Sequence, residues 1–71
     1  MTPEEMSRVQ TYLQTRFKNN GFAVKGRKTD DSIEVYLDNE FLGVLYKDEE
    51  DGETSYDFNM AILDIDLPPS F

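Results

Sequence analysis

The fold predicted by the sequence is α+β, with one N-terminal helix packed on a four-stranded antiparallel sheet in the order α-β-β-β-β. Three observations predict it. Apolar residues recur at helical spacing over the first seventeen positions. Ser32 to Tyr46, SIEVYLDNEFLGVLY, consists of two apolar and aromatic runs around a polar break at Asp38-Asn39-Glu40, which is a hairpin signal. A last run with alternating apolar residues begins near Thr54.

The helix has a clear start. Thr2 can cap the free amides, Pro3 suits the first helical position, and Glu5 three residues after Thr2 completes a capping box. Met1 is placed to pack on Met6 as a hydrophobic staple. Met6, Val9, Leu13 and Phe17 then follow at steps of three, four and four, which puts them on one face. Tyr12 flanks that stripe, and Glu4 and Arg8 stand in the favourable order for an ion pair. Asn19-Asn20-Gly21 is expected to end the helix, with Gly21 in the left-handed conformation.

Phe22–Lys28 reads as the first strand, with Phe22, Val24 and Gly26 on one face. Lys25, Arg27 and Lys28 form the densest basic cluster. Three such charges can hold a phosphate or an acidic partner, but a solvated edge that discourages strand-to-strand aggregation is the preferred reading. Thr29-Asp30-Asp31-Ser32 is turn chemistry.

In the hairpin, Ile33, Val35 and Leu37 alternate with polar or mixed residues, so one face is apolar. Phe41–Tyr46 is apolar nearly throughout, which suits a central strand. Gly43 within it marks either a bulge or a place where a helix side chain presses close. Lys47 to Glu53 is the most polar stretch, an exposed loop turned by Gly52. Tyr46 and Tyr56 flank it and are expected to meet across the antiparallel pair.

In the last strand Tyr56, Phe58, Met60 and Ile62 share one phase, and Leu63, Ile65 and Leu67 the other. That shift predicts a bulge near Ile62-Leu63, or alternatively a short helical turn. Pro68-Pro69 stops the structure. The domain is therefore 1–67, with 68–71 a C-terminal tail whose end, Ser70-Phe71, frays. The predicted core is Met6, Val9, Leu13 and Phe17 against Phe22, Val24, Ile33, Val35, Leu37 and one face of the last two strands.

Composition narrows the function. A chain of 71 residues forms one domain, and a domain of this size buries only about 60% of the surface its unfolded form exposes. It has no cysteine, so neither a disulfide nor a thiolate metal site can form, and no histidine, the commonest general base. Self-association is the remaining means of adding stability. The formal net charge is −8, which opposes nucleic acid and anionic membrane. No apolar run approaches the length of a membrane span and no leader pattern is present, so the expected setting is cytoplasmic and soluble.

The charge is also lopsided. Residues 1–31 carry six cationic and four acidic groups, whereas residues 32–71 carry Lys47 alone against eleven acids. If the folded faces respect this division, the molecule has a strong dipole that can orient a partner or a second copy.

The acidic loop is the one cluster that invites metal chemistry. Asp48, Glu49, Glu50, Asp51 and Glu53 supply the hard oxygen ligands that calcium needs. Placing Gly52 at the sixth position of an EF-hand loop puts Lys47 where the first acid belongs, so the pattern fails. Asp48, Glu50, Asp51 and Glu53 remain weak metal candidates. Paired carboxylates of the glycosidase kind would need a cleft, for which a chain this short has little material. No serine sits in a nucleophile elbow, and the glycines match no phosphate loop. No cofactor and no catalytic residue are assigned.

One helix covers only one face of a sheet. The other face is expected to present Tyr36, Leu42, Val44, Tyr46 and Leu63, with Tyr56 a further interaction candidate. An exposed apolar and aromatic patch of this kind indicates binding. The expected function is therefore a small acidic protein-interaction or self-associating module without catalytic activity, whose partner is another protein or a second copy. The alternative is a divalent-cation-binding protein using the acidic loop.

The wording EVYLDNEFLGVLYKDEEDGETSYDFNMAILDIDL, with Met1-Thr2-Pro3-Glu4-Glu5 and Tyr12-Leu13 ahead of it, resembles a family of small uncharacterised alphaproteobacterial proteins known only as a domain of unknown function. The resemblance spans nearly the whole chain. It is most specific at Glu34-Val35-Tyr36, at Phe41 to Leu45 and from Asp48 to Asp66. It implies a bacterial cytoplasmic protein of about this length, and it carries no activity and no site residues.

Overall fold

The computed structural model describes residues 1–69, so the expected fraying of Ser70-Phe71 lies outside the described residues. One helix, α1 (Pro3–Arg16), precedes four strands: β1 (Phe22–Gly26), β2 (Ser32–Leu37), β3 (Glu40–Asp48) and β4 (Ser55–Met60). The strands form one antiparallel sheet in the order β1-β2-β3-β4. Short 3-10 turns occupy Glu50–Gly52 and Asp64–Asp66.

The capping box of α1 is complete. Glu5 N–H donates to Thr2 Oγ1 at 3.1 Å, and Thr2 N–H donates to Glu5 Oε1 at 3.2 Å. Such a cap contributes about 1 kcal/mol to a helix. The C-terminus departs from expectation. The helix stops at Arg16, and Lys18, at φ 51°, takes the left-handed conformation assigned to Gly21. Gly21 N–H instead donates to Asn19 Oδ1 at 2.8 Å, and the Asp38 and Asn19 side-chain tips close over its α-carbon. The early stop also carries Phe17 out of the stripe. It is 56% exposed and stacks on Phe22 at 5.4 Å instead of entering the core.

The hairpin turn is the two-residue Asp38-Asn39, with φ of 50° and 70°, closed by the pair Leu37–Glu40. Positive φ at both residues is the type I′ geometry that matches strand twist, and Asp and Asn tolerate it best after glycine. Val35 pairs with Gly43 and Tyr36 with Phe41, leaving Leu42 as an extra residue. This bulge reverses the phase of β3. Leu42 packs against the core, whereas Phe41 joins Tyr36 on the outer face. Gly43 is pressed by the neighbouring strand, not by the helix: a Cβ there would meet Asn59 O at 2.2 Å and Met60 Cα at 2.9 Å.

The core is Val9, Leu13, Phe22, Ile33, Val35 and Leu45, with Met6, Val24, Leu37, Leu42 and Phe58 packed around it. Val35 is fully buried. α1 lies along β1, and two of its side chains finish that strand's outer edge. Val24 N–H donates to Gln10 Oε1 at 3.1 Å, and Gln14 Nε2 donates to Phe22 O at 3.0 Å. The first strand ends at Gly26, two residues short of expectation, which leaves Arg27 and Lys28 in the loop to β2. At the other end β4 stops at Met60, and the phase change that follows is a helical turn over Asp64–Asp66, the alternative to a bulge.

Candidate functional site

Because α1 lies chiefly along β1, it covers the β3–β4 half only in part, at Leu45 and Phe58, and leaves the outer face of that half open. On the outer face, strand alternation groups Tyr36, Phe41, Val44 and Tyr46. The Tyr36 and Phe41 rings meet edge-on, 5.7 Å apart and at 75°. Tyr36 OH donates to Glu34 Oε1 at 3.0 Å, and this bond, together with burial, raises the phenol above its ordinary value.

Three interaction candidates named from the sequence therefore share the outer face: Tyr36, Val44 and Tyr46. Two do not. Leu42 is turned inward by the bulge. Tyr56 pairs in register with Lys47, one position away from the pairing of Tyr46 with Asp57, so the two tyrosines lie on opposite faces and do not meet. Phe41 is the residue that sequence reasoning missed. An unbroken alternation places it inward, and only the bulge brings it out.

On the helix side, Tyr56 belongs to a polar clasp. Lys47 Nζ lies 2.5 Å from Glu5 Oε2, and Tyr56 OH donates to the same oxygen at 3.0 Å. Lys47 also reaches Glu49 at 3.1 Å. The Lys47 ammonium, then the Thr2 amide and the Tyr56 phenol, hold the Glu5 carboxyl down to about 2. Glu5 and Glu49 in turn raise Lys47, while burial first and Glu5 second raise Tyr56. The clasp ties the first turn of α1 to β3 and β4. Nothing in the sequence marked it, since Tyr56 is 51 positions from Glu5.

Beside the clasp, a groove of about 290 Å³ runs between α1 and β4, lined by Val9, Tyr12, Leu13, Leu45, Tyr56 and Phe58. Beyond β4 the chain continues through Ile62, Leu63, Ile65 and Leu67, all exposed, Ile62 at 70% and Ile65 at 86%. Leu63 and Asp66 flank a broader depression of about 720 Å³ that includes Phe41, Val44, Tyr46 and Met60. The Cα radius of gyration, 13.7 Å, exceeds the roughly 11 Å of a compact chain of this length.

The acidic loop is spent locally. Asp48 Oδ1 accepts from Glu50 N–H at 3.0 Å, and Glu49 leans on Lys47. Glu50, Asp51 and Glu53 are exposed. Among the described residues no three acidic side chains converge as metal ligands would. Nor is any helix among them long and apolar enough to cross a membrane.

A family model described as "Protein of unknown function (DUF3126)" matches residues 5–66, which spans the clasp, the groove and most of the exposed arm. No curated protein and no solved structure matches the chain.

Proposed function

The chain belongs to the DUF3126 family of proteins of unknown function, and we propose that it works as a protein-interaction module without catalytic activity. The observation that carries this reading is the run of uncovered apolar side chains on the β3–β4 half: Phe41, Tyr46, Met60, Ile62, Leu63 and Ile65. Large apolar side chains left to water in such number on a small domain point to something that covers them. Among the described residues the one strongly shifted acid is Glu5, which is held ionised by Lys47 and joins helix to sheet, so it is not poised to exchange a proton at neutral pH. The bacterial cytoplasm, and the alphaproteobacterial setting implied by the sequence resemblance, belong to the same proposal and suit an acidic chain without cysteine.

The test is retention of partners on tagged protein from a native bacterial extract, at low and high salt, with Tyr46→Asp and Ile65→Asp as the comparison. Both side chains are exposed, so both variants should fold. The expected result is a bound protein, or a second copy, that survives high salt and is lost in the variants. A chain that retains nothing and stays monomeric would overturn the proposal.

A further inference from the structure

We propose that the occupant of the open side is a second copy of this chain, with β4 paired antiparallel to β4 and each Ile62–Leu67 arm lying in the other copy's groove between α1 and β4. The inference rests on the interaction reading above and names its partner.

The first observation is the asymmetry of the sheet edges. The outer edge of β1 is closed by Gln10 and Gln14 from the helix. Along β4, among the described residues, no helix or loop side chain bonds to the outer edge; Asn59 Nδ2 donates to Asp57 O at 3.4 Å, within the strand itself. An uncovered edge presents free amides and carbonyls to any extended partner.

The second observation is where an antiparallel pair would deliver the arm. In such a pair the C-terminal end of one strand lies beside the N-terminal end of the other. Met60 of one copy then lies near Ser55 and Tyr56 of its mate, and Tyr56 borders the groove. Residues 61–67 of the first copy emerge at that point. The arm turns at Ala61 to enter a groove in either copy, but the chain's own arm would leave the β4 edge open, whereas a second copy covers edge and groove together.

The third observation is chemical fit. The groove has an apolar floor of Val9, Leu13, Leu45 and Phe58. Tyr12 lines its helix side, and Arg8 and Arg16 stand one helical step of four before and after Tyr12. Among the described residues neither arginine is in an ion pair. The arm, Ile62-Leu63-Asp64-Ile65-Asp66-Leu67, carries exposed aliphatics for the floor and two carboxylates for the rim. The exchange is reciprocal, so a two-fold closes it and leaves neither β4 edge free.

The experiment is sedimentation of the full chain across micromolar concentrations. It is joined by nuclear Overhauser measurements on a mixed sample in which one half of the molecules is isotope-labelled. The expected mass is twice 8.2 kDa, with intermolecular contacts from Ile65 methyls to the Tyr12 and Tyr56 rings. Ile65→Asp should leave a folded monomer. Arg8→Glu should weaken the dimer roughly tenfold, and Arg8→Glu with Asp66→Arg should restore it. A chain that is monomeric throughout but still retains another protein from extract would overturn this inference and leave the interaction reading standing. A monomer that retains nothing would overturn both. A dimer unaffected by Ile65→Asp and by Arg8→Glu would overturn the arm exchange.

Discussion

Glu5, in the first turn of α1, and Lys47, near the end of β3, are in contact at 2.5 Å, and their side chains are only 17% and 20% exposed. With Tyr56 on the same carboxylate, the pair is a polar bolt between the helix and the far strands, where apolar packing is thin. This arrangement gives the protein a definite response to acid. The Glu5 carboxyl is lowered from 4.5 to about 2, chiefly by Lys47. A lowered acid contributes its full stability above its unfolded value and loses it as pH falls through its folded value. The window is therefore from pH 4.5 down to about 2. Thermal melts of the wild type and Glu5→Gln should differ by a few degrees at neutral pH, with the wild type higher. The gap should close across that window. A gap that is constant from neutral pH to pH 2 would exclude the pair as its source.

Two glycines in the sheet should respond oppositely to the same methyl group. At Gly43 a Cβ would strike the backbone of β4 at Asn59 O and Met60 Cα, at 2.2 and 2.9 Å. Backbone cannot step aside as a side chain can. Gly43→Ala should therefore cost about 3 kcal/mol and loosen β4 from β3. At Gly26 a Cβ would meet Met6 Cε at 3.7 Å, an ordinary contact with a flexible tip. Gly26→Ala should be neutral or stabilise by about 0.5 kcal/mol, because alanine loses less backbone freedom on folding. Urea titrations of the two variants check both; equal costs would contradict the close approach at Gly43.

The difference between these glycines was not legible in the sequence, and the reason is general to this chain. Local signals were readable: the Thr2–Glu5 cap, the Asp38-Asn39 turn and the order of elements each depend on a few neighbouring residues. What depends on register was not. One extra residue at Leu42 sends Phe41 outward and Leu42 inward. One position in the β3–β4 register separates Tyr46 from Tyr56, because the length of the intervening acidic loop does not fix the pairing. Phe17 continues the apolar spacing of α1, yet the backbone leaves the helix at Arg16, and spacing alone cannot register that. The clasp at Glu5 joins residues from three elements, so no local window contains it.

The turn at Asp38-Asn39 carries its own prediction. Asn39 at φ 70° lies in the left-handed region, which a β-branched side chain occupies only with strain. Asn39→Val should cost about 1–2 kcal/mol. Asn39→Gly, which gives the preferred Asp-Gly pair of a type I′ turn, should be neutral or slightly stabilising. Equilibrium unfolding should rank the three residues glycine, asparagine, valine. Valine matching asparagine would mean that the turn has another geometry.

The glutamines that close β1 should govern not only stability but the kind of assembly the protein makes. Gln10→Leu removes the acceptor of Val24 N–H, a part-buried bond of 3.1 Å whose loss should cost about 1 kcal/mol. Replacing Gln14 as well frees Phe22 O. The sheet then has an unblocked edge at β1 as well as at β4. Pairing of β4 with β4 is closed by symmetry, but pairing of β1 with β4 of the next molecule is not, and such contacts propagate into open chains. The double variant Gln10→Leu/Gln14→Leu should therefore scatter light progressively with concentration below its melting temperature, whereas the wild type should reach a fixed mass. Adding Lys at Ala23, an exposed position on β1, should suppress that growth by charging the new edge without restoring the lost stability. If the double variant is destabilised by the expected amount and yet keeps a fixed mass, the glutamines stabilise the strand without guarding it.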